Sequence, residues 1–213
     1  MCNLLRKELR LAAHPSLYMF MAMGALVLIP AYPYGVVFFF GGLGVFQTVM
    51  FGRETRDVFY TALLPVRKGD GVRGKILLAV FSQLTQLALS LPFAFLRTLY
   101  MAEGNPAGIE ANAAYYGFGL MLYGAFNLVF FTRFYRTVYQ AGTSFLMALI
   151  PLTLGIATME VAVHFPGMGW LDSVAGPDLV RQIPILVLGV LVYIASNLLA
   201  CRLGARNFSR VDL

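Results

Sequence analysis

Residues 17–51, LYMFMAMGALVLIPAYPYGVVFFFGGLGVFQTVMF, form an uncharged stretch of 35 residues, and its reading decides the fold. As one helix it would reach roughly 52 Å at 1.5 Å per residue, well beyond a bilayer hydrocarbon core of about 30 Å. Pro30 and Pro33 lie near its midpoint and remove two helix donors. The stretch therefore reads as a helical hairpin turning at residues 30–34, which crosses a membrane twice.

Outward from this hairpin the same apolar character recurs. The spacing predicts six spans, at about residues 17–33, 34–51, 76–96, 113–132, 141–163 and 184–201. The 213-residue chain is 59% apolar and 12% charged, with a mean hydropathy of +0.74. Soluble domains are nearer 25% charged, so a water-soluble globule is excluded. The expected fold is all-α: one integral membrane domain, residues 1–213, built as a six-helix transmembrane bundle with no room for a folded soluble domain.

The formal net charge of +6 and pI near 9.5 would suggest nucleic acid in a soluble chain, but position decides what the charges mean. Of the 16 Lys and Arg residues, 14 fall in the N-terminal tail, the loop after the second span, the loop after the fourth and the C-terminal tail. Only Arg97 and Arg181 fall on the opposite side. Basic loops stay in the cytoplasm, so both termini are expected there and no nucleic-acid partner is expected. The basic start followed by an apolar run has the outline of a secretory signal, but five more spans follow, and it reads as retained. Cys2 and Cys201 match no metal-ligand spacing and receive no role.

Residues 1–15 carry a second pattern. On a helical wheel Asn3, Arg6, Lys7, Arg10 and His14 fall within an arc of about 100°, while Leu and Ala fill the remainder and Glu8 alone intrudes on it. Pro15 follows and bends the chain. Such a segment is either a positively charged topogenic tail or an amphipathic helix lying in the membrane interface that braces the bundle or meets a partner.

Residues 52–75, GRETRDVFYTALLPVRKGDGVRGK, form the longest cytoplasmic connection, with six basic and three acidic residues around an apolar, aromatic centre. Pro65 disfavours helix at Leu64, which predicts a short amphipathic helix over residues 54–63 and a break after it. Phe59, Leu63 and Val66 would form an apolar surface between charged flanks. That surface suits docking by another protein, or packing on the bundle or the lipid.

The opening NLLRKEL, the acidic residue after the second span followed by Leu63-Leu64-Pro65-Val66-Arg67-Lys68 and Gly74-Lys75, and the ending Arg206-Asn207-Phe208-Ser209-Arg210-Val211-Asp212-Leu213 resemble the small ABC-2-type transporter permeases of bacteria and archaea. The resemblance covers essentially the whole length. It implies an interfacial elbow helix at the N-terminus and a coupling helix in the 52–75 loop that docks on a separate cytosolic ABC ATPase, with Glu54, Asp57, Phe59, Leu63, Pro65, Val66 and Arg67 as the coupling residues. It also implies a second permease, identical or related, and location in the cell membrane. Export of peptide, antimicrobial, lipid-like or other amphipathic cargo is the expected activity. Gly69, Asp70 and Gly71 depart from the pattern, since the family usually continues as helix there; a looser turn is expected.

No catalytic centre is legible. The chain has no G-x-x-x-x-G-K-[ST], so ATP and Mg²⁺ are expected in the partner ATPase and no cofactor in this chain. No paired acids or H-E-x-x-H motif occur. Glu160 and His164 share a helix face at i, i+4 and read as a proton-linked pair, as two metal ligands, or as a wetted pair at the outer rim. The first reading would make the chain an ion-coupled carrier or intramembrane enzyme; a non-transporting assembly or sensor subunit is a third class. Gln83, Gln86 and Asn127 are neutral polar groups at membrane depth, suited either to bonding between helices or to lining a substrate path.

Overall fold

The computed structural model describes residues 2–29, 31–63, 67–100 and 105–211, and among these every regular element is helical. Five helices are long and apolar enough to cross a membrane: α3 Val36–Glu54, α5 Lys68–Tyr100, α6 Ala113–Thr137, α7 Ala141–Ala162 and α8 Gly176–Phe208. Before them come α1 Cys2–Lys7, a π-helical turn Glu8–Ala12, α2 Pro15–Ala22 and a 3₁₀ continuation Met23–Leu28. The short α4 Asp57–Leu63 lies between α3 and α5.

The decisive apolar stretch is thus two elements. The first runs from Pro15 to Leu28, the chain reverses through residues that include Ala31 in the left-handed region (φ 57°), and α3 starts at Val36. Pro30 itself lies outside the described residues. His14 caps α2 by accepting from Ser16 N–H, and Pro15 takes the first helical position, where its missing donor costs nothing. At this Pro the axis turns by 98° relative to Leu4–Ala12, so a sixth candidate span exists only as a bent pair. The 3₁₀ turn packs backbone against backbone on α5. A Cβ at Gly24 would come 2.5 Å from the Gln86 carbonyl oxygen, so only glycine fits.

Several boundaries differ from expectation, three of them with a local reason. The helix expected over 54–63 is divided: α3 runs to Glu54, Thr55 closes it by donating from N–H and hydroxyl to Phe51 O, and Arg56 takes φ 53° before α4 begins. The looser turn expected at Gly69-Asp70-Gly71 is absent, because α5 is helical from Lys68 onward. The last helix begins at Gly176 rather than at residue 184, because Pro177 serves as a first-turn residue.

α6 is the most enclosed of the long helices and α8 lies along it. A Cβ at Gly189 would sit 2.3 Å from the Gly117 carbonyl oxygen, and one at Gly124 would meet Ser196 Cβ at 3.2 Å. Small residues seven apart on both helices therefore bring the two backbones together, as membrane helices do in place of a hydrophobic drive. The inner core is aromatic, with Phe38, Tyr115, Tyr123, Phe126, Phe130 and Phe131 buried. The outer faces are apolar instead of polar: Leu146, Ile150 and Leu154 on α7 and Val187, Leu191, Ile194 and Leu198 on α8 are exposed. Surfaces of this kind fit lipid as the surrounding solvent.

One end of the bundle gathers the N-terminal segment, the end of α3, α4, the start of α5 and the ends of α6 and α8. Leu4 reaches Gly74 of α5, Phe208 packs at a tilt against Tyr135, and Lys68 Nζ sits 5.6 Å from the Phe208 ring. This is the end that carries most of the basic residues.

Candidate functional site

At the basic end, four charged side chains close into a ring. Lys7 Nζ donates to Asp57 Oδ1 at 2.7 Å, to Thr61 Oγ1 at 2.8 Å and to Glu8 Oε1 at 3.0 Å. Lys75 Nζ makes ion pairs with Glu8 Oε2 at 2.7 Å and Asp57 Oδ2 at 2.6 Å. The side chains of Glu8 and Lys75 are 1% and 7% exposed, so the ring is shielded and its charges balance internally. Burial pushes the Asp57 carboxyl upward, but Lys75 and Lys7 outweigh it and hold the group below the ordinary carboxylate range. Burial works against the Lys7 ammonium, and its bonds to Asp57 and Glu8 more than offset this, so its pKa rises.

α4 has two faces. Inward it presents Asp57 and Thr61 to the ring; outward it presents Phe59, Tyr60 and Leu63, which are 46%, 62% and 69% exposed. Beside Phe59 opens a cleft of about 550 Å³ lined by Gly52, Arg53, Arg56, Val58, Val138 and Tyr139 as well. Its charged lining is entirely basic, and Arg53 donates to the Tyr139 carbonyl at 3.2 Å. Of the residues read as coupling residues, Phe59 and Leu63 share the outward face and Asp57 points the other way. Glu54 is exposed at the end of α3 and Arg67 is exposed just before α5, while Pro65 and Val66 lie outside the described residues.

In mid-bundle Gln83 and Asn127 bond reciprocally at 2.9 and 2.8 Å. Asn127 also donates to Asn197 Oδ1 at 3.0 Å, and Tyr193 donates to Gln83 Oε1 at 3.0 Å. Gln86 donates to the carbonyls of Phe20 and Val37 and accepts from the Tyr123 hydroxyl. Gln83, Gln86 and Asn127 are each at most 1% exposed. Within this single chain the three amides thus join α5 to α6, α8, α3 and the Pro15–Ala22 helix, satisfying polar groups where lipid offers no partners.

At the opposite end, Glu160 accepts from Gly35 N–H at 2.8 Å through one oxygen and from Ile109 N–H at 3.1 Å through the other. It forms no ion pair with His164 among the described residues, and no group of three metal-ligating side chains occurs there. Arg97 and Glu110 form a buried ion pair, with contacts of 3.1 to 3.4 Å, and the Arg97 guanidinium lies 5.5 Å from the Tyr34 ring. Glu110 N–H donates to Asp172 at 2.7 Å; burial raises the Asp172 carboxyl above its ordinary value.

Two features here fall outside the sites singled out in the sequence: the ring at one end and the Arg97–Glu110 pair at the other. Both left signals. Glu8 interrupts an otherwise apolar face, and Arg97 is one of only two basic residues on its side. Comparison with protein-family models, with curated proteins and with solved structures finds no match. The residues and their placement therefore carry the functional reading.

Proposed function

We propose that this chain is the membrane permease subunit of an ABC-2-type ATP-binding cassette transporter, driven by a separate cytosolic ATPase. The observation that carries the reading is α4: a short helix at the basic end, charged and fastened on one face, with Phe59, Tyr60 and Leu63 exposed on the other. A helix that only linked α3 to α5 would gain by burying those side chains, each worth about 1.5–3 kcal/mol when fully removed from water. An apolar face flanked by Arg53, Arg56 and Arg67 suits a groove with an apolar floor and acidic rim.

In this reading Pro15–Leu28 is the first of six spans, residues 1–15 lie in the interface as an elbow, and the basic end, with both termini, faces the cytoplasm. A second permease, identical or related, completes the path, and the exposed apolar flanks of the long helices meet lipid and that partner. ATP and Mg²⁺ belong to the ATPase, and this chain performs no catalysis of its own. The chain's apolar, Met- and Phe-rich composition suits export of peptide, antimicrobial or lipid-like cargo. The test is co-purification with the Walker-motif ATPase expected in a neighbouring reading frame. The Phe59→Asp/Leu63→Asp variant should retain its helicity and lose the ATPase; retained binding with unchanged ATP turnover would sink the docking role of α4.

A further inference from the structure

The inner face of α4 is fastened in a way that the docking role does not require. α4 leaves α3 through a two-residue turn with Arg56 in the left-handed region. The cations that meet its Asp57 belong to two other elements, Lys7 of α1 and Lys75 of α5. Glu8, at the start of the π turn, meets both lysines and closes the ring.

Small residues let these elements converge. A Cβ on Gly71 would lie 3.4 Å from Thr61 Cγ2 of α4, and one on Gly74 would lie 3.4 Å from Leu4 Cδ2 of α1. On the α3 side a Cβ at Gly52 would sit 3.5 Å from Lys75 Nζ, and no charged α3 side chain joins the ring among the described residues. Two acids and two bases share one shielded space, so the ring is favourable only when complete. Removing one member leaves a buried charge without compensation.

We propose that Lys7, Glu8, Asp57 and Lys75 form a positioning clamp that makes α4, the N-terminal segment and the first turns of α5 move as one body. A displacement applied to the outer face of α4 then passes into the 33-residue α5 instead of being absorbed in the α3–α4 turn. From α5 it reaches Gln83 and Gln86, whose amides bond to α6 and to the Phe20 carbonyl. The clamp follows from the geometry of this chain alone; only the identity of what pushes α4 rests on the ATPase reading.

Hydrogen–deuterium exchange on the full-length chain in lipid nanodiscs tests the clamp without any partner. Lys75→Met should accelerate amide exchange by about tenfold or more in both residues 57–63 and residues 4–12, while α6 and α7 stay protected. Phe59→Asp, on the outer face, should leave residues 4–12 unchanged. If Lys75→Met does not fold, Lys7→Met/Glu8→Gln keeps the balanced Asp57–Lys75 pair and should loosen residues 4–12 more than α4. Exchange that rises in α4 alone, or in neither segment, would overturn the clamp. A clamp that passes while Phe59→Asp/Leu63→Asp leaves ATPase binding and turnover unchanged would refute the docking role of α4 and leave the clamp standing.

Discussion

Asp57 shows how one side chain's environment sets its role. The sequence places it among the docking residues of the 52–75 loop, yet its carboxylate turns inward to two lysines. Its pKa is lowered, so its contribution to stability is complete above the unfolded value of about 4 and is lost as pH falls through the lower folded value. Lys7 has the opposite sign: its raised pKa contributes fully below about 10.4 and loses that contribution as pH rises through the higher folded value. Thermal unfolding in detergent should therefore fall more steeply for the native chain than for Asp57→Asn between about pH 5 and 2. Equal slopes would mean that Asp57 is not ion-paired. In mid-bundle, Asn127→Ala leaves Gln83 and Asn197 short of partners and should cost about 1–2 kcal/mol of unfolding free energy. Glu8 was visible in the sequence as a misfit on an apolar face, but its partner Lys75 lies far along the chain, and no periodicity links two residues that only tertiary folding brings together.

Helices are the scale at which most of the structure was legible. The long apolar stretch is divided between Leu28 and Val36, where Pro33 lies, and that break was legible because loss of a backbone donor is a local property. The extra turns of α8 were not legible, since Gly176-Pro177 reads equally as turn or as helix start until the chain packs. Gly69 and Gly71 likewise look like a turn, but they are helical, with Ala205 of α8 packed beside Gly69 and Thr61 of α4 beside Gly71. Gly117 and Gly189 set the distance between α6 and α8. Gly189→Ala places a methyl against the Gly117 carbonyl and should destabilise by about 1–3 kcal/mol, read as a lower unfolding temperature. Gly142, with open space around it, should accept Ala with little change.

For the whole molecule, the basic end unites the N-terminal segment, the end of α8, α4 and the charge ring, and Glu160 and the Arg97–Glu110 pair lie at the opposite end. In a background with Cys2 and Cys201 replaced, a cysteine at Ser173 should react with a membrane-impermeant thiol reagent added outside intact cells, and one at Ser209 should not. The reverse pattern would invert the orientation. The permease role is tested most directly by ATP turnover in proteoliposomes that contain the ATPase proposed as its partner, with and without this chain. The native chain should stimulate turnover and Phe59→Asp/Leu63→Asp should abolish the stimulation; turnover that is the same with the native chain, the variant and no permease would overturn the permease role.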